Sequence, residues 1–441
     1  MPLIFPWCRA IAPHALLLGC FVLAEPGCSA DNSPTPADNA GTGGSSQGGA
    51  SAQTGGASSG GAGPGGATAS AGGSGAGGAP VTTGCGANKA FPCMAPPMLD
   101  PLPKAAAGQW TYQAIDGTFC RDGTPAGFYT RFSDASKKLL IYLEQGGACM
   151  NTAVCTSNPK SVDESITGRT FPEVTTNGVK SVRQAPQTTG IFDYSNAENP
   201  YKDWNAIWIP YCTGDAFGGS NPNGSIPSVT ATKFVGYMNM QKFVGHIVPT
   251  FPDAERVVLT GTSAGSFGAG LNFNQVQDAF GSVPVTLIMD SGIPFGDAFM
   301  SPTVQKQWRT LWNLAPALPP DCKECTGADG GGLINLVFYS AKKYPGVKLG
   351  LISAEEDDIM KFFFGFGEAS GSYATGKYPQ GLQDLRQQAA PFKSQFASYY
   401  VPGIKHMYSQ FPDFYTPLAG SVTLVSWVND VLTGTMHDVG P

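Results

Sequence analysis

The stretch Arg256-Val-Val-Leu-Thr-Gly-Thr-Ser263-Ala-Gly-Ser-Phe-Gly-Ala-Gly270 decides how this chain folds. An apolar run, of the kind that forms a buried strand, gives way at once to small residues that open a helical pattern. Gly261, Ser263 and Gly265 fit Gly-x-Ser-x-Gly, in which the serine sits on a sharp strand-to-helix turn. Residues two before and two after the serine must be small, because larger side chains would collide on such a turn. The pattern alone has little weight, since Gly44–Gly48 and Gly56–Gly60 match it through composition. The strand before and the helix after distinguish Ser263 as a candidate nucleophile from a plain glycine-rich turn.

Outward from this turn the chain alternates strand and helix signals. Apolar runs recur at Phe128–Phe132, Leu139–Leu143, Ala206–Cys212, Val257–Thr260, Val285–Met289, Val347–Ile352 and Ala397–Val401. Several are near-continuous, as expected of strands buried on both faces of a parallel sheet. Thr232–Val248, with Phe234, Val235, Met238, Met240, Phe243, Val244 and Ile247, and Ser421–Leu432 repeat apolar residues at helical spacing. The expected fold class is α/β, of the α/β-hydrolase kind: a mostly parallel central sheet with helices on both faces. No internal repeat is visible.

A serine hydroxyl needs a general base before it can attack a carbonyl. The chain has four histidines. His14 lies in an N-terminal apolar run. His246 precedes the serine, against the order Ser, acid, His of this fold, and its place on an apolar helix face suits a packed core residue. His437 lies beyond the last helix, where termini tend to be loose. His406 remains, on a loop before the final helix. The acid should follow a strand between Ser263 and His406. Ser353-Ala-Glu-Glu-Asp-Asp358 offers Glu355, Glu356, Asp357 and Asp358 after such a strand. Asp290, ending the run before Ser291-Gly292, is a further candidate that reads more simply as a turn cap. The oxyanion would be held by the N–H of Ala264 and by one from Leu143-Glu-Gln-Gly146-Gly147-Ala-Cys149, where glycines allow close approach.

The rest of the chain bounds the setting. Net charge is −6 with no basic tract, which argues against nucleic acid as a partner. Residues 1–28 read as an export signal: Arg9, then an apolar run from Ala10 to Ala24 that is too short for a bilayer span. Cys20 sits inside that run and Cys28 ends it, so a lipid anchor is expected at Cys28, with simple cleavage nearby as the alternative. Residues 29–83 are a Gly/Ser/Ala-rich linker with too little apolar bulk to offset the entropy of ordering. Residues 84–441 form the expected catalytic domain. It holds an even number of cysteines, which suits disulfides in an exported protein. Proximity suggests Cys85–Cys93, Cys149–Cys155 and Cys322–Cys325, leaving Cys120–Cys212. A zinc reading of Cys322-Lys-Glu-Cys325 is weak without a second ligand pair nearby.

Four segments together resemble the pectin acetylesterase/Notum family of carboxylesterases. These are LEQGGAC (143–149), NPYKDWNAIWIPYCTGDAFGG (199–219), LTGTSAGSFGAGLN (259–272) and MDSG (289–292). The resemblance implies Ser263 as nucleophile, His406 as base, Asp357 as acid with Asp358 and Glu356 as fallbacks, and Gly146, Gly147 and Ala264 as oxyanion donors. It also implies structural disulfides at Cys149 and Cys212 and cleavage of oxygen esters, deacetylation of a polysaccharide such as pectin foremost, with no metal or cofactor. Gln145 stands where the family usually has Gly, Ala148 stands near an aromatic position, and the turn reads SAGS rather than SAGG. A peptidase or lipase of the same fold, or a silent surface-binding lipoprotein, are the alternatives. An exported, surface-anchored or secreted protein is expected, touching membrane only through an N-terminal lipid.

Overall fold

The computed structural model describes residue 85, residues 90–165 and 188–441, and the backbone of two strands at 170–175 and 178–183. The expectations for the export signal, the anchor at Cys28 and the linker lie outside the described residues.

An eight-stranded sheet organises the domain. Its strands are β1 (Trp110–Phe119), β2 (Pro125–Arg131), β3 (Lys138–Leu143), β6 (Asn205–Ile209), β7 (Arg256–Thr262), β8 (Val285–Asp290), β9 (Leu349–Ala354) and β10 (Phe396–Val401), in the order β1-β2-β6-β3-β7-β8-β9-β10. The intervening β4 (Thr170–Thr175) and β5 (Gly178–Arg183) form a separate hairpin. From β6 to β10 every pairing is parallel, while β2 runs antiparallel to β6 and β1 antiparallel to β2. All seven apolar runs became strands. The sequence did not reveal β1, whose residues are mostly half-buried or exposed on the sheet edge and show no apolar run.

Alternation splits the sheet between two cores. Leu139, Ile141 and Leu143 of β3 face one, with α2 (Gly236–Thr250), α3 (Ala264–Phe280), α4 (Pro302–Trp312), α5 (Asn335–Lys343) and α7 (Lys377–Ala389). Leu140 and Tyr142 face the other, which α8 (Leu424–Thr433) covers with the loop residues Phe192, Trp204 and Phe414. The short helices α1 (Thr152–Thr156) and α6 (Asp358–Gly365) lie on loops at the carboxyl ends of the strands. Helices therefore cover both faces, but unequally. Among the described residues no helix is long and apolar enough to cross a membrane.

Three local expectations are corrected. Met238, counted in the apolar pattern of α2, is 43% exposed. His246 is not a core residue: it is half-buried, with Nδ1 2.6 Å from the carbonyl oxygen of Asp100. The stretch holding His437 is docked, because Val439 pairs with Tyr399 and Asp438 accepts from the Ser398 amide and hydroxyl. The disulfides are Cys85–Cys93, Cys149–Cys155 and Cys322–Cys325, as proximity suggested, and Cys120–Cys212, the pair left over.

Asp215 shows how the loop after β6 is fastened. Its fully buried carboxylate accepts from the Gly236 amide at 2.7 Å, at the start of α2, and from the Thr213 hydroxyl at 2.6 Å. Burial pushes its pKa up to about 6, and the donors offset this only in part. A carboxyl that holds its proton more tightly folded than unfolded stabilises fully below the unfolded value of about 3.9, and that contribution is lost as pH rises through the folded value. Between about pH 4 and pH 7 the Tm of wild type should therefore fall relative to that of Asp215→Asn, which does not titrate. A difference that stays flat across that range in paired thermal melts refutes the assignment.

Candidate active site

Ser263 follows β7 at φ 54°, ψ −119°, a backbone state that costs a non-glycine residue about 1–3 kcal/mol. It is held there from both sides. Its amide donates to the Asp290 carbonyl at 2.9 Å, and α3 begins at the next residue. A Cβ on Gly265 would lie 2.0 Å from the Leu143 carbonyl oxygen, and one on Gly261 would lie 2.3 Å from that of Gly265. The two glycines thus let the first turn of α3 rest directly on the end of β3. As the first helical residue, Ala264 has an N–H without an intrahelical acceptor.

The loop after β3 is tied at nearly every residue. Glu144 is fully buried and accepts from the Tyr211 amide at 2.8 Å. The Gly146 carbonyl accepts from Asn158 Nδ2 at 2.7 Å, and the Gly147 carbonyl from the Tyr211 hydroxyl at 2.8 Å. Cys149 donates its amide to Gly214, accepts from the Trp312 indole and bonds to Cys155. Since a trans peptide points its N–H opposite to its C=O, the bond from Asn158 turns the Gly147 N–H away from Asn158. Gly147 has φ +76°, and a Cβ there would approach Phe363 Cζ to 3.4 Å. Gln145 is folded inward: its Oε1 accepts from Thr262 Oγ1 at 2.9 Å and lies 3.0 Å from the Tyr142 hydroxyl. Tyr142 also meets Thr262 at 2.7 Å and Gln410 at 3.0 Å, and burial raises its pKa well above the ordinary phenol value. This buried polar cluster sits beneath the Ser263 turn.

The candidate acid and the candidate base meet directly. Asp357 is fully buried, and its two oxygens lie 2.9 and 2.8 Å from His406 Nδ1. One of them also caps α6, accepting from Ile359 N at 3.1 Å and Met360 N at 2.9 Å. A carboxylate only accepts, so it fixes the histidine proton on Nδ1 and leaves Nε2 as the acceptor. Nε2 is buried and has no hydrogen-bond partner among the described residues. The neighbouring Glu356 and Asp358 are instead paired with Lys361, at 3.1 and 2.9 Å.

Asp290 is not a cap for its own turn, and it does not touch His406 among the hydrogen bonds of that ring. Fully buried, it accepts through Oδ2 from Tyr408 N (2.9 Å), Ser409 N (2.7 Å) and Ser409 Oγ (2.7 Å), and through Oδ1 from Ser291 Oγ (2.9 Å). Ser291 Oγ in turn accepts from the Met407 amide at 3.0 Å. Asp290 therefore fastens the loop of His406 to the strand end whose carbonyl holds Ser263. Burial raises its pKa, with the donors opposing. The sequence hid this role because three of the four donors belong to Tyr408 and Ser409, more than a hundred positions downstream, and two of those are backbone amides. A second mark is backbone strain: Ala216, Phe217, Ser263, Ser291 and Met407 are all non-glycine residues at positive φ around this site.

A cavity of about 20 Å³ opens at Ser263, lined by Gly147, Ala148, Ala216, Ala264, Phe267, Trp308, Met360 and Phe363. Gly147 and Ala264 line it, whereas Gly146 is packed against the Tyr211 ring. A second apolar cavity of about 20 Å³ shares the walls Ala216, Phe267 and Trp308 and extends to Leu336 and Val337. A larger groove of about 700 Å³ lies at the opposite end of the sheet, around Lys138 and Glu255, and includes no candidate catalytic residue.

Replacing Asp290 by Asn removes one acceptor oxygen from a point where backbone and hydroxyl donors converge. The amides of Tyr408 and Ser409 should then exchange with solvent about 10–100 times faster, for a loss of about 1–3 kcal/mol. Unchanged protection in amide hydrogen exchange would show that Asp290 does not fasten the loop.

Comparison with known proteins places this geometry. A pectinacetylesterase family model matches residues 110–327. The palmitoleoyl-protein carboxylesterase notum2 of Xenopus laevis is 28% identical over 46% of this chain, a stretch spanning 43% of that relative's own length. The inactive palmitoleoyl-protein carboxylesterase notum1b of Danio rerio is 34% identical over 23% of this chain and 67% of its own. The Wnt deacylase Notum from Drosophila shares the fold with a TM-score of 0.52 at 21% identity, over 75% of this chain and 95% of that one. The chain belongs to the pectinacetylesterase/Notum family of carboxylesterases, on an α/β-hydrolase fold.

Proposed function

We propose that this protein is a serine carboxylesterase that removes short O-acyl groups, acetyl foremost, from a polysaccharide, with Ser263, His406 and Asp357 as its triad. The observation that carries the reading is the buried Asp357–His406 pair, with a partnerless Nε2 on a loop that Asp290 fastens to the Ser263 strand end. His406 Nε2 takes the hydroxyl proton of Ser263 as its oxygen bonds to the ester carbonyl carbon. The N–H groups of Ala264 and Gly147 receive the oxyanion, each donor being worth about 10²–10³ in rate. His406 returns the proton to the departing alcohol, the C–O bond breaks, and an acyl-enzyme remains. Water loses a proton to the same histidine as its oxygen bonds to the acyl carbon, the bond from that carbon to Ser263 Oγ breaks, and His406 returns the proton to Oγ as the acid leaves. The disulfides support a place in an oxidising compartment, as an exported protein that is lipid-anchored at Cys28 or secreted.

Cavity size supports a short acyl group. About 20 Å³ at Ser263 admits one small group, of the order of a methyl, and Phe267 with Trp308 closes it from the apolar space behind. The two rings meet edge-on at 5.4 Å. This differs from the long acyl chain in the names of the Notum relatives.

A fluorophosphonate reagent should label wild type, fail on Ser263→Ala, and label Asp357→Asn slowly, by a factor of about 10⁴ where the tautomer is lost. No labelling of folded, oxidised wild type would favour a silent binding protein, as the name of the zebrafish relative illustrates.

On p-nitrophenyl esters, acetate should exceed butyrate by at least about tenfold in kcat/KM. Trp308→Ala, which joins the two cavities, should narrow that gap. A preference for octanoate in wild type would point to a lipase and sink the acetyl assignment, and casein cleavage would point to a peptidase.

A further inference from the structure

Five large hydrophobic side chains among the described residues are more than 40% exposed, and Ile359, Phe362 and Ile404 are three of them. All three lie on the segments that deliver Asp357 and His406. Those segments run side by side, with Glu356 N donating to the Gly403 carbonyl at 2.9 Å and Asp358 N to that of Ile404 at 3.3 Å. Phe362 meets Phe363 at 5.3 Å and Phe366 at 5.0 Å, both edge-on. Phe363 also lines the Ser263 cavity, so the apolar rim is continuous with the reacting centre. Single exposed apolar residues need no explanation, whereas three on two hydrogen-bonded segments beside a site do.

The charges on the same segments narrow the occupant. Lys361 is paired with both Glu356 and Asp358, and Lys405 with Asp413. Glu355 adds a further half-buried acid. Among the described residues of these two segments both lysines are already matched, and acids outnumber them. An anionic sugar chain laid on these segments would meet repulsion there.

Building on the esterase reading, we propose that this rim binds the alcohol half of the ester and takes an uncharged sugar. The C–H face of such a sugar covers Phe362 and Ile404, and its hydroxyls donate to the rim carboxylates. The substrate class is then an acetylated neutral glycan rather than an acetylated polyuronide.

The test measures kcat/KM of the purified full chain on ethyl acetate, acetylated xylan and acetylated polygalacturonate, beside Phe362→Ala and Ile404→Ser. Both side chains are exposed, so folding is preserved. Wild type should prefer xylan to polygalacturonate, and each variant should lower the xylan-to-ethyl acetate ratio by about tenfold, through KM. A wild-type preference for polygalacturonate overturns the proposal. So does an unchanged ratio in both variants, including the case in which they lose binding to phosphatidylcholine vesicles, which would assign the rim to a membrane. If ethyl acetate is cleaved and the ratio does not move, the rim inference alone fails. If ethyl acetate is not cleaved at all, the esterase reading fails with it.

Discussion

One buried carboxylate gathers this site. Asp290 sits at the end of β8, between the strand that carries Ser263 and the strands that carry Asp357 and His406. Its backbone carbonyl holds the Ser263 amide, and its side chain holds the amides of Tyr408 and Ser409. Taking such a group out of water is costly unless donors surround it, and here four do so. Pieces far apart in sequence are thus joined by a group that does not itself enter the reaction. Ser263, Asp357 and His406 could not keep a common geometry on loops alone, because loops are the least rigid parts of a domain.

The second constraint is backbone lying on backbone. With Gly261 and Gly265, the start of α3 packs on the end of β3, and no side chain separates the Ser263 turn from the loop of Gly147. The loop itself is anchored through Tyr211, whose hydroxyl donates to Gly147 and accepts from Ala216 N. Small residues set the proximity and large ones close the space that remains. Phe267, Trp308 and Phe363 leave a cavity of about 20 Å³.

Much of this was legible in the sequence. The seven buried strands announced themselves as apolar runs, because strands covered on both faces, the six parallel ones and the antiparallel β2 alike, need no polar alternation. Ser263 was legible from its strand-turn-helix setting, and His406 by elimination among four histidines. The acid was open among four neighbouring carboxylates until a resemblance favoured Asp357. Only the fold distinguishes them physically, by burying Asp357 as the cap of α6 and leaving Glu356 and Asp358 to Lys361. Asp290 was misread because the contacts that give it this role are to the amides of Tyr408 and Ser409, and no side-chain pattern encodes a peptide group. Tyr211 was within a recognised segment, yet its hydroxyl bond to Gly147 depends on the loop's path in space. The edge strand β1 was missed for the opposite reason: half-exposed residues carry little apolar signal.

The order of the sheet has a consequence for biosynthesis. Ser263 follows a central strand, but Asp357 and His406, its proposed acid and base, follow β9 and β10, which complete the far edge. A growing polypeptide therefore possesses its serine long before the groups that activate it. Until β9 and β10 have joined the sheet, a chain that already carries its serine turn lacks the two side chains that the proposed mechanism sets beside it, so latency is written into the order of synthesis.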